Sequence, residues 1–201
     1  MNNLRLFIVA GPNGSGKSLF SSKLTQSDYT VFDGDKHLIE FAKRYPETGS
    51  DVLSNAVNEQ VFKVEKIKAI AEFKSYAFET NFSASNPMET ANEFRKAGYE
   101  IHLIFMGFNS IEESIQRVGE RVRLGGHEVA ESSIRYNYEH GFNNLYNHFH
   151  EFDSVTLYDN AIGDHSEPAT PIELLYILEG HLHLELKTYP EWVISLLDRY
   201  N

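Results

Sequence analysis

Residues 4–18 read Leu4-Arg-Leu-Phe-Ile-Val-Ala10-Gly11-Pro-Asn-Gly-Ser-Gly-Lys-Ser18, and they carry the clearest prediction of the fold class. Its first seven residues are nearly all apolar, which is typical of a strand buried on both faces of a parallel sheet. The next eight satisfy the pattern G-x-x-x-x-G-K-[ST] at every fixed position. Residues 18–24 are predicted to form the helix that follows. A strand, a glycine-rich loop and a helix in this order are the context that a phosphate-binding loop, or P-loop, requires.

The residue types of this loop suit nucleotide phosphates. Its glycines allow positive φ and let backbone N–H groups approach an anion closely. Lys17 offers a positive charge to the β- and γ-phosphates, and Ser18 offers a hydroxyl ligand to Mg²⁺. We therefore predict that the loop binds ATP or GTP together with Mg²⁺, and that Lys17 also takes part in catalysis. The predicted nucleotide contacts are Gly11, Pro12, Asn13, Gly14, Ser15, Gly16, Lys17 and Ser18.

Predicted strands and helices alternate along the rest of the chain. Strands are expected at residues 4–10, 29–32, 76–78, 100–106 and 155–158, and helices at 51–73, 87–97 and 134–149, with a capping box at 110–113 opening another. This alternation predicts a three-layer α/β/α P-loop fold with a mostly parallel sheet of about five strands. A C-terminal β-hairpin within 173–186 and a helix from Pro190 are expected to follow. We predict one domain over 1–201, with a core at 1–160 and an extension at 161–201.

Composition narrows the classes of function. The chain has 201 residues, 41% of them hydrophobic, no cysteine, and a formal net charge of −11. The acidic balance disfavours nucleic acid as a partner, and the lack of thiols excludes cysteine nucleophiles and thiolate metal sites. The apolar run at the N-terminus is too short to span a membrane and is followed by a glycine loop. We therefore expect a cytoplasmic protein with no membrane partner.

Carboxylates follow two of the predicted strands. Asp33 and Asp35 come after residues 29–32, and Glu79 with Thr80 comes after residues 76–78. Ligands bind at the carboxyl ends of parallel strands, so these side chains are candidates for an acceptor site. Asp35 is predicted to be the catalytic base, Asp33 to support the metal and the substrate, and Glu79 and Thr80 to bind substrate. A turn with a helix N-cap at Asp33 and an exposed strand end at Glu79 are the structural alternatives.

A basic segment lies at residues 117–127. Arg117 and Arg121 are one helical turn apart, and Arg123 stands next to Gly125-Gly126 and His127. Arginines on a mobile element can stabilise a transferring phosphoryl group, so the segment is predicted to be a catalytic lid. His127 and Arg135 are predicted to assist in substrate binding. A solvated helix face with a glycine C-cap is the structural alternative.

These motifs together resemble the zeta-toxin-like family of P-loop kinases, particularly its short branch of predicted ATPases. The resemblance covers about residues 4–160 and is most specific in Arg121-Val-Arg-Leu-Gly-Gly-His127. It implies ATP-dependent phosphorylation of UDP-N-acetylglucosamine at a sugar hydroxyl, with Asp35 as general base and Glu79 on the substrate. It also implies that Arg117 and Arg123 stabilise the transferring phosphate and that Asp159-Asn160 lies near the adenine.

Two functions follow from these patterns. The first is a kinase that transfers the γ-phosphate of ATP-Mg²⁺ to a hydroxyl of a small molecule. The alternative is a regulatory protein that binds or hydrolyses ATP and reports its nucleotide state to a protein partner. The resemblance raises an antitoxin as one such partner, and the sequence does not identify it.

Overall fold

The computed structural model describes residues 3–25, 31–126, 128–160, 170–184 and 186–200. Its centre is one six-stranded sheet in the order β2-β1-β3-β4-β5-β6. The strands are β1 (Arg5–Ala10), β2 (Tyr76–Thr80), β3 (Glu100–Gly107), β4 (Ser154–Asp159), β5 (Ile172–Leu178) and β6 (His181–Leu184). The first four are parallel, and β5 and β6 join antiparallel as a hairpin beside β4. The predicted α/β class with a mostly parallel sheet is confirmed.

The strand predicted at residues 29–32 differs from the structure. Tyr29 and Thr30 lie outside the described residues, and Phe32 makes only an isolated parallel bridge to Phe78. This bridge still places the segment at the free edge of β2, since Phe32 N donates to Ala77 O and Glu79 N donates to Phe32 O. The chain then turns directly into a helix at the carboxyl edge of the sheet.

Eight α-helices are described: α1 (Lys17–Leu24), α2 (Gly34–Arg44), α3 (Ser50–Ala56), α4 (Lys63–Ala71), α5 (Asn86–Lys96), α6 (Ile111–Arg123), α7 (Glu131–His148) and α8 (Glu191–Tyr200). The predicted helix at 51–73 is interrupted by a π-helical turn at Val57–Phe62 between α3 and α4. Its Phe62 ring lies 4.8 Å from Phe32 and 5.2 Å from Phe78 between centroids. Ser110 caps α6 as the capping-box pattern predicts, because its Oγ accepts a hydrogen bond from Glu113 N at 3.1 Å, while the Glu113 carboxylate binds Arg117.

The C-terminal segment packs into the same core as the strands. Leu174, Leu175 and Ile177 of β5 and Trp192, Val193 and Leu196 of α8 are buried with residues of β1 and β3. A Cβ on Gly107, at the end of β3, would lie 2.7 Å from the Trp192 ring. Helix α8 therefore supports the carboxyl end of β3. Within the described parts of the chain, no helix is long and apolar enough to cross a membrane.

Candidate functional site

The P-loop joins β1 to α1 at the carboxyl edge of the sheet, and its three glycines stand where a side chain would be strained or crowded. Gly11, Gly14 and Gly16 all have positive φ, at 147°, 81° and 88°. A Cβ on Gly11 would lie 2.2 Å from Met106 O, and one on Gly16 would lie 2.5 Å from Asn160 Nδ2. Glycine is thus required sterically as well as conformationally. A loop of this form turns backbone N–H groups towards an anion, so it fits nucleotide phosphates.

Lys17 lies over its own loop. Its ammonium donates hydrogen bonds to Gly11 O at 2.7 Å, to Pro12 O at 3.0 Å and to Asn81 Oδ1 at 3.3 Å. Burial lowers the pKa of Lys17 from its ordinary value, and the nearby carboxylates of Glu79, Asp35 and Asp33 oppose this shift. The lysine therefore sits in a partly desolvated position between the loop and the acidic side of the site.

Glu79, at the carboxyl end of β2, contacts the first turns of α1. Its Oε2 accepts a hydrogen bond from Ser18 Oγ at 2.7 Å, and its Oε1 accepts one from Ser21 Oγ at 2.8 Å. Burial raises the pKa of the Glu79 carboxyl, and the two serine hydroxyl groups partly offset that effect. The sequence had associated Glu79 with substrate, whereas the structure places it against the hydroxyl predicted to bind Mg²⁺.

Asp33 and Asp35 flank the start of α2. Asp33 Oδ1 accepts a hydrogen bond from Lys36 N at 3.1 Å and so caps the helix, as the structural alternative predicted. Both aspartates nevertheless line the same cavity as Lys17. Thr80 also lines it, while its hydroxyl accepts a hydrogen bond from Phe82 N at 2.9 Å.

The three lid arginines of α6 lie in three different surroundings. Arg117 is nearly buried and binds Glu113 Oε1 at 2.6 Å, Gly14 O at 3.3 Å and the carbonyl of Asn160. Arg121 lines the cavity. Arg123 is exposed, lies outside the cavity lining, and donates to Gly119 O at 3.4 Å. The structure thus fixes Arg117 to the P-loop, brings Arg121 to the cavity and leaves Arg123 at the surface.

Of the remaining predicted site residues, some lie at the cavity and others lie away from it. Arg135 is exposed and forms ion pairs with Glu131 at 2.8 Å and Glu112 at 3.7 Å, away from the cavity lining. His127 lies outside the described residues. Asp159 ends β4, and the buried Asn160 follows it. Asn160 Nδ2 donates to Ser15 O at 2.9 Å, so Asn160 braces the P-loop and also lines the cavity.

Several residues that hold the site together were missed by sequence reasoning. Ser114 Oγ donates to Asn13 O at 2.6 Å, and Asn137 Nδ2 donates to Asn13 Oδ1 at 2.9 Å. Ser21 is the second hydroxyl on Glu79. These residues lie in helices where serine and asparagine look like ordinary polar positions. A glycine inside the predicted helix 134–149 is the one local signal, because Gly141 indicates either a bend or a close contact there; a Cβ on it would lie 2.6 Å from Asn81 O.

Together these elements enclose a cavity of about 950 Å³. The sequence-predicted residues lining it are Asn13, Gly14, Gly16, Lys17, Ser18, Asp33, Asp35, Glu79, Thr80, Arg117, Arg121 and Asn160. Hydroxyl and carboxylate oxygens are the donors that Mg²⁺ prefers, so Ser18, Asp33 and Glu79 suit a metal that also binds phosphate and water. No group of three or more His, Asp or Glu side chains within the described ranges could hold a metal by itself.

The chain is similar in sequence to a known family and to a bacterial protein. The family model described as Zeta toxin matches residues 5–161. A protein of Haemophilus influenzae described as uncharacterized is 27% identical over 139 residues, which cover 69% of this chain and 94% of that protein.

Two solved structures share the fold. A crystal structure of AvrRxo1-ORF1 with AvrRxo1-ORF2 and sulphate ions matches with a TM-score of 0.62 at 12% identity, over 91% of this chain and 61% of that chain. The PezAT chromosomal toxin–antitoxin system of Streptococcus pneumoniae matches with a TM-score of 0.58 at 16% identity, over 79% of this chain and 68% of that chain. A further structure of the AvrRxo1 pair contains ATP. The chain spans about three fifths of the AvrRxo1 chain.

Proposed function

The chain belongs to the Zeta toxin family, and we propose that it is a kinase that transfers the γ-phosphate of ATP-Mg²⁺ to a hydroxyl of a small molecule. The observation that carries the proposal is that Lys17 and Asp35 line one cavity. A P-loop alone serves many kinds of nucleotide-binding protein. A carboxylate that lines the same cavity as the phosphate-binding lysine also supplies a group that can receive the proton of an attacking hydroxyl.

Each side of the cavity has its own part in this reaction. The P-loop backbone and Lys17 hold the phosphates, and Ser18, Asp33 and Glu79 hold Mg²⁺ directly or through water. The metal, when bound, neutralises charge on the phosphates. Arg121 stabilises the charge of the transferring group from the α6 side. Arg117 acts indirectly, because its guanidinium is committed to Glu113 and to carbonyls of Gly14 and Asn160.

The acceptor side is formed by Asp35, Thr80 and Asn81. Asp35 accepts the proton as the hydroxyl oxygen bonds to phosphorus and the bond to the ADP oxygen breaks. Glu79 contacts Ser18 and Ser21, which supports a place beside the metal more than a contact with substrate. The proposed acceptor is a nucleotide sugar of the UDP-N-acetylglucosamine type, as the family resemblance implies. A protein partner of the antitoxin kind is also proposed, because the PezAT neighbour is a toxin–antitoxin system.

The experiment compares wild type with Asp35→Asn and a matched Asp51→Asn control. Asp51 is an exposed aspartate in the first turn of α3 and does not line the cavity. Each protein is incubated with ATP-Mg²⁺ and a panel of nucleotide sugars, sugars and nucleosides, and ADP and phosphorylated product are measured. We expect product from wild type and Asp51→Asn, and a loss of about 10²–10⁴-fold in Asp35→Asn. Slow ATP hydrolysis that is the same in all three proteins, without any phosphorylated product, would favour the regulatory ATPase instead.

A further inference from the structure

Asparagine side chains connect the P-loop to the 80–85 loop, which consists of Thr80, the last residue of β2, and the residues between β2 and α5. Asn81 Oδ1 accepts the 3.3 Å hydrogen bond from the Lys17 ammonium. Asn137 of α7 reaches both segments, because its Nδ2 donates to Asn13 Oδ1 at 2.9 Å and its Oδ1 accepts from Ser83 Oγ at 2.7 Å. The phosphate loop and the 80–85 loop are therefore held by one helix.

The 80–85 loop is closely constrained. Phe82 is fully buried and has φ of 58°, a left-handed conformation that is rare for a bulky residue. Its N–H donates to Thr80 Oγ1 at 2.9 Å, and its carbonyl accepts from Asn144 Nδ2 at 2.8 Å. Contacts on both of its peptide groups offset the strain. The position of Asn81 is consequently set by α7 and the core.

Gly141 of α7 packs against the main chain of Asn81. A Cβ at Gly141 would lie 2.6 Å from Asn81 O, so the helix backbone packs directly on the Asn81 peptide group. The Asn81 side chain is thereby presented to the cavity, which it lines beside Lys17.

The Lys17 ammonium has three N–H donors, and among the described residues three acceptors bind it. A phosphate oxygen can bind Lys17 only if at least one of these acceptors gives up its bond. The bond to Asn81 is the longest of the three and the only one to a side chain, so it is the one that can be released without moving the P-loop backbone.

We propose that Asn81 is a positioning residue that competes with the nucleotide phosphates for Lys17 and so links nucleotide binding to the 80–85 loop. With the loop empty, Asn81 holds the ammonium; with phosphate bound, the ammonium leaves Asn81 and the 80–85 loop loses one of its anchors. Nucleotide binding then changes the side of the cavity formed by Thr80 and Asn81, where the acceptor is proposed to bind. This inference rests on the proposed nucleotide site. It goes beyond that site because it couples phosphate binding at Lys17 to the acceptor side formed by Thr80 and Asn81.

Opposite effects of two substitutions distinguish this role from a merely structural one. Asn81→Ala removes the competitor, so Mg-ATP is expected to bind about fivefold more tightly. Asn81→Asp keeps the shape but holds the ammonium with a full charge, so binding is expected to weaken by about tenfold or more. A residue needed only for structure would weaken binding in both variants. Asn92→Ala is the matched control, because exposed Asn92 also accepts a hydrogen bond from a cation, Arg95, at 2.7 Å.

The measurements are Kd values for Mg-ATP by titration calorimetry and hydrogen exchange of the peptide covering residues 80–85. In wild type, Mg-ATP is expected to increase exchange in that peptide, and in Asn81→Ala exchange is expected to be raised already and to respond less. Weaker binding by Asn81→Ala at unchanged unfolding free energy would overturn the inference while leaving the kinase proposal intact. No binding of Mg-ATP by wild type or by any variant would overturn the proposed function itself.

Discussion

The Ser18 hydroxyl donates a hydrogen bond to Glu79 Oε2 at 2.7 Å and thereby ties the first turn of α1 to the end of β2. The strand carrying Glu79 lies directly beside the strand that leads into the P-loop. A hydroxyl that can ligate Mg²⁺ and a carboxylate that can support it are thus already in contact. The arrangement supports the proposed place of Glu79 beside the metal, and it makes the pKa of Glu79 depend on Ser18, Ser21, Asp33 and Lys17.

Glu79→Gln is expected to stabilise the protein without nucleotide at neutral pH. Burial raises the pKa of the Glu79 carboxyl above its ordinary value. The folded state therefore holds this proton more tightly than the unfolded chain, so the stability contributed by protonated Glu79 is lost as the pH rises through its folded pKa. Glutamine has no proton to lose. The Tm of the Glu79→Gln protein at pH 7 is expected to exceed that of wild type by about 2–4 °C.

Calorimetric unfolding of Glu79→Gln and wild type between pH 4 and pH 8 measures this difference. The advantage of the variant should shrink as the pH falls towards the unfolded pKa, where wild type is protonated as well. Glu40→Gln, at an exposed position of α2, is the control and should follow wild type throughout. If the Glu79→Gln protein is less stable than wild type at pH 7, the burial of the ionised Glu79 carboxylate does not destabilise the fold, and the prediction is wrong.

Lys17→Ala is expected to weaken Mg-ATP binding by about a hundredfold or more, because a charge-assisted contact to phosphate is lost in a partly desolvated site. Lys23→Ala removes an exposed lysine from the same helix and should bind as wild type does. Titration calorimetry with Mg-ATP and Mg-ADP measures both Kd values. Equal affinity in wild type and Lys17→Ala would place the nucleotide elsewhere.

The P-loop could be predicted because its backbone conformation and close contacts require particular residue types at fixed positions. Gly11 and Gly16 are fixed by positive φ and by neighbours that would clash with any side chain. The parallel strands were likewise predicted from continuous apolar runs. For helix α2 the sequence indicates only the start, through the cap at Asp33, because the apolar residues of this helix are only partly buried.

The supports of the site could not be predicted because they depend on residues far apart in the chain. Asn13 and Asn137 are 124 positions apart, and no local pattern distinguishes Asn137 from a solvated position of α7. Arg117 and Arg123 look equivalent in the sequence of α6. Only the packing of α6 against the P-loop determines that Arg117 is hydrogen-bonded to the loop and that Arg123 is exposed.

Arg117→Ala is expected to destabilise the fold by about 2–4 kcal/mol, because it leaves Glu113 unpaired and frees carbonyls of Gly14 and Asn160. It also removes a guanidinium that lies 4.8 Å from the Phe108 ring centroid. Arg123→Ala, from the exposed end of the same helix, should change stability by less than about 0.5 kcal/mol. Urea unfolding of both variants measures the contrast. Equal losses would mean that Arg117 does not hold the P-loop.

Gly141→Ala and Gly119→Ala are expected to have opposite signs, although each places alanine inside an α-helix. Nothing lies within 4 Å of a Cβ at Gly119, so that variant should gain about 0.5–1 kcal/mol through reduced chain entropy. At Gly141 the new Cβ would lie 2.6 Å from Asn81 O, and overpacking should cost about 1–3 kcal/mol. Urea unfolding measures both. Because the displaced group is the Asn81 peptide, Gly141→Ala should also change the Kd for Mg-ATP, whereas Gly119→Ala should not. A stabilised Gly141→Ala protein with wild-type affinity would show that α7 does not set the position of Asn81.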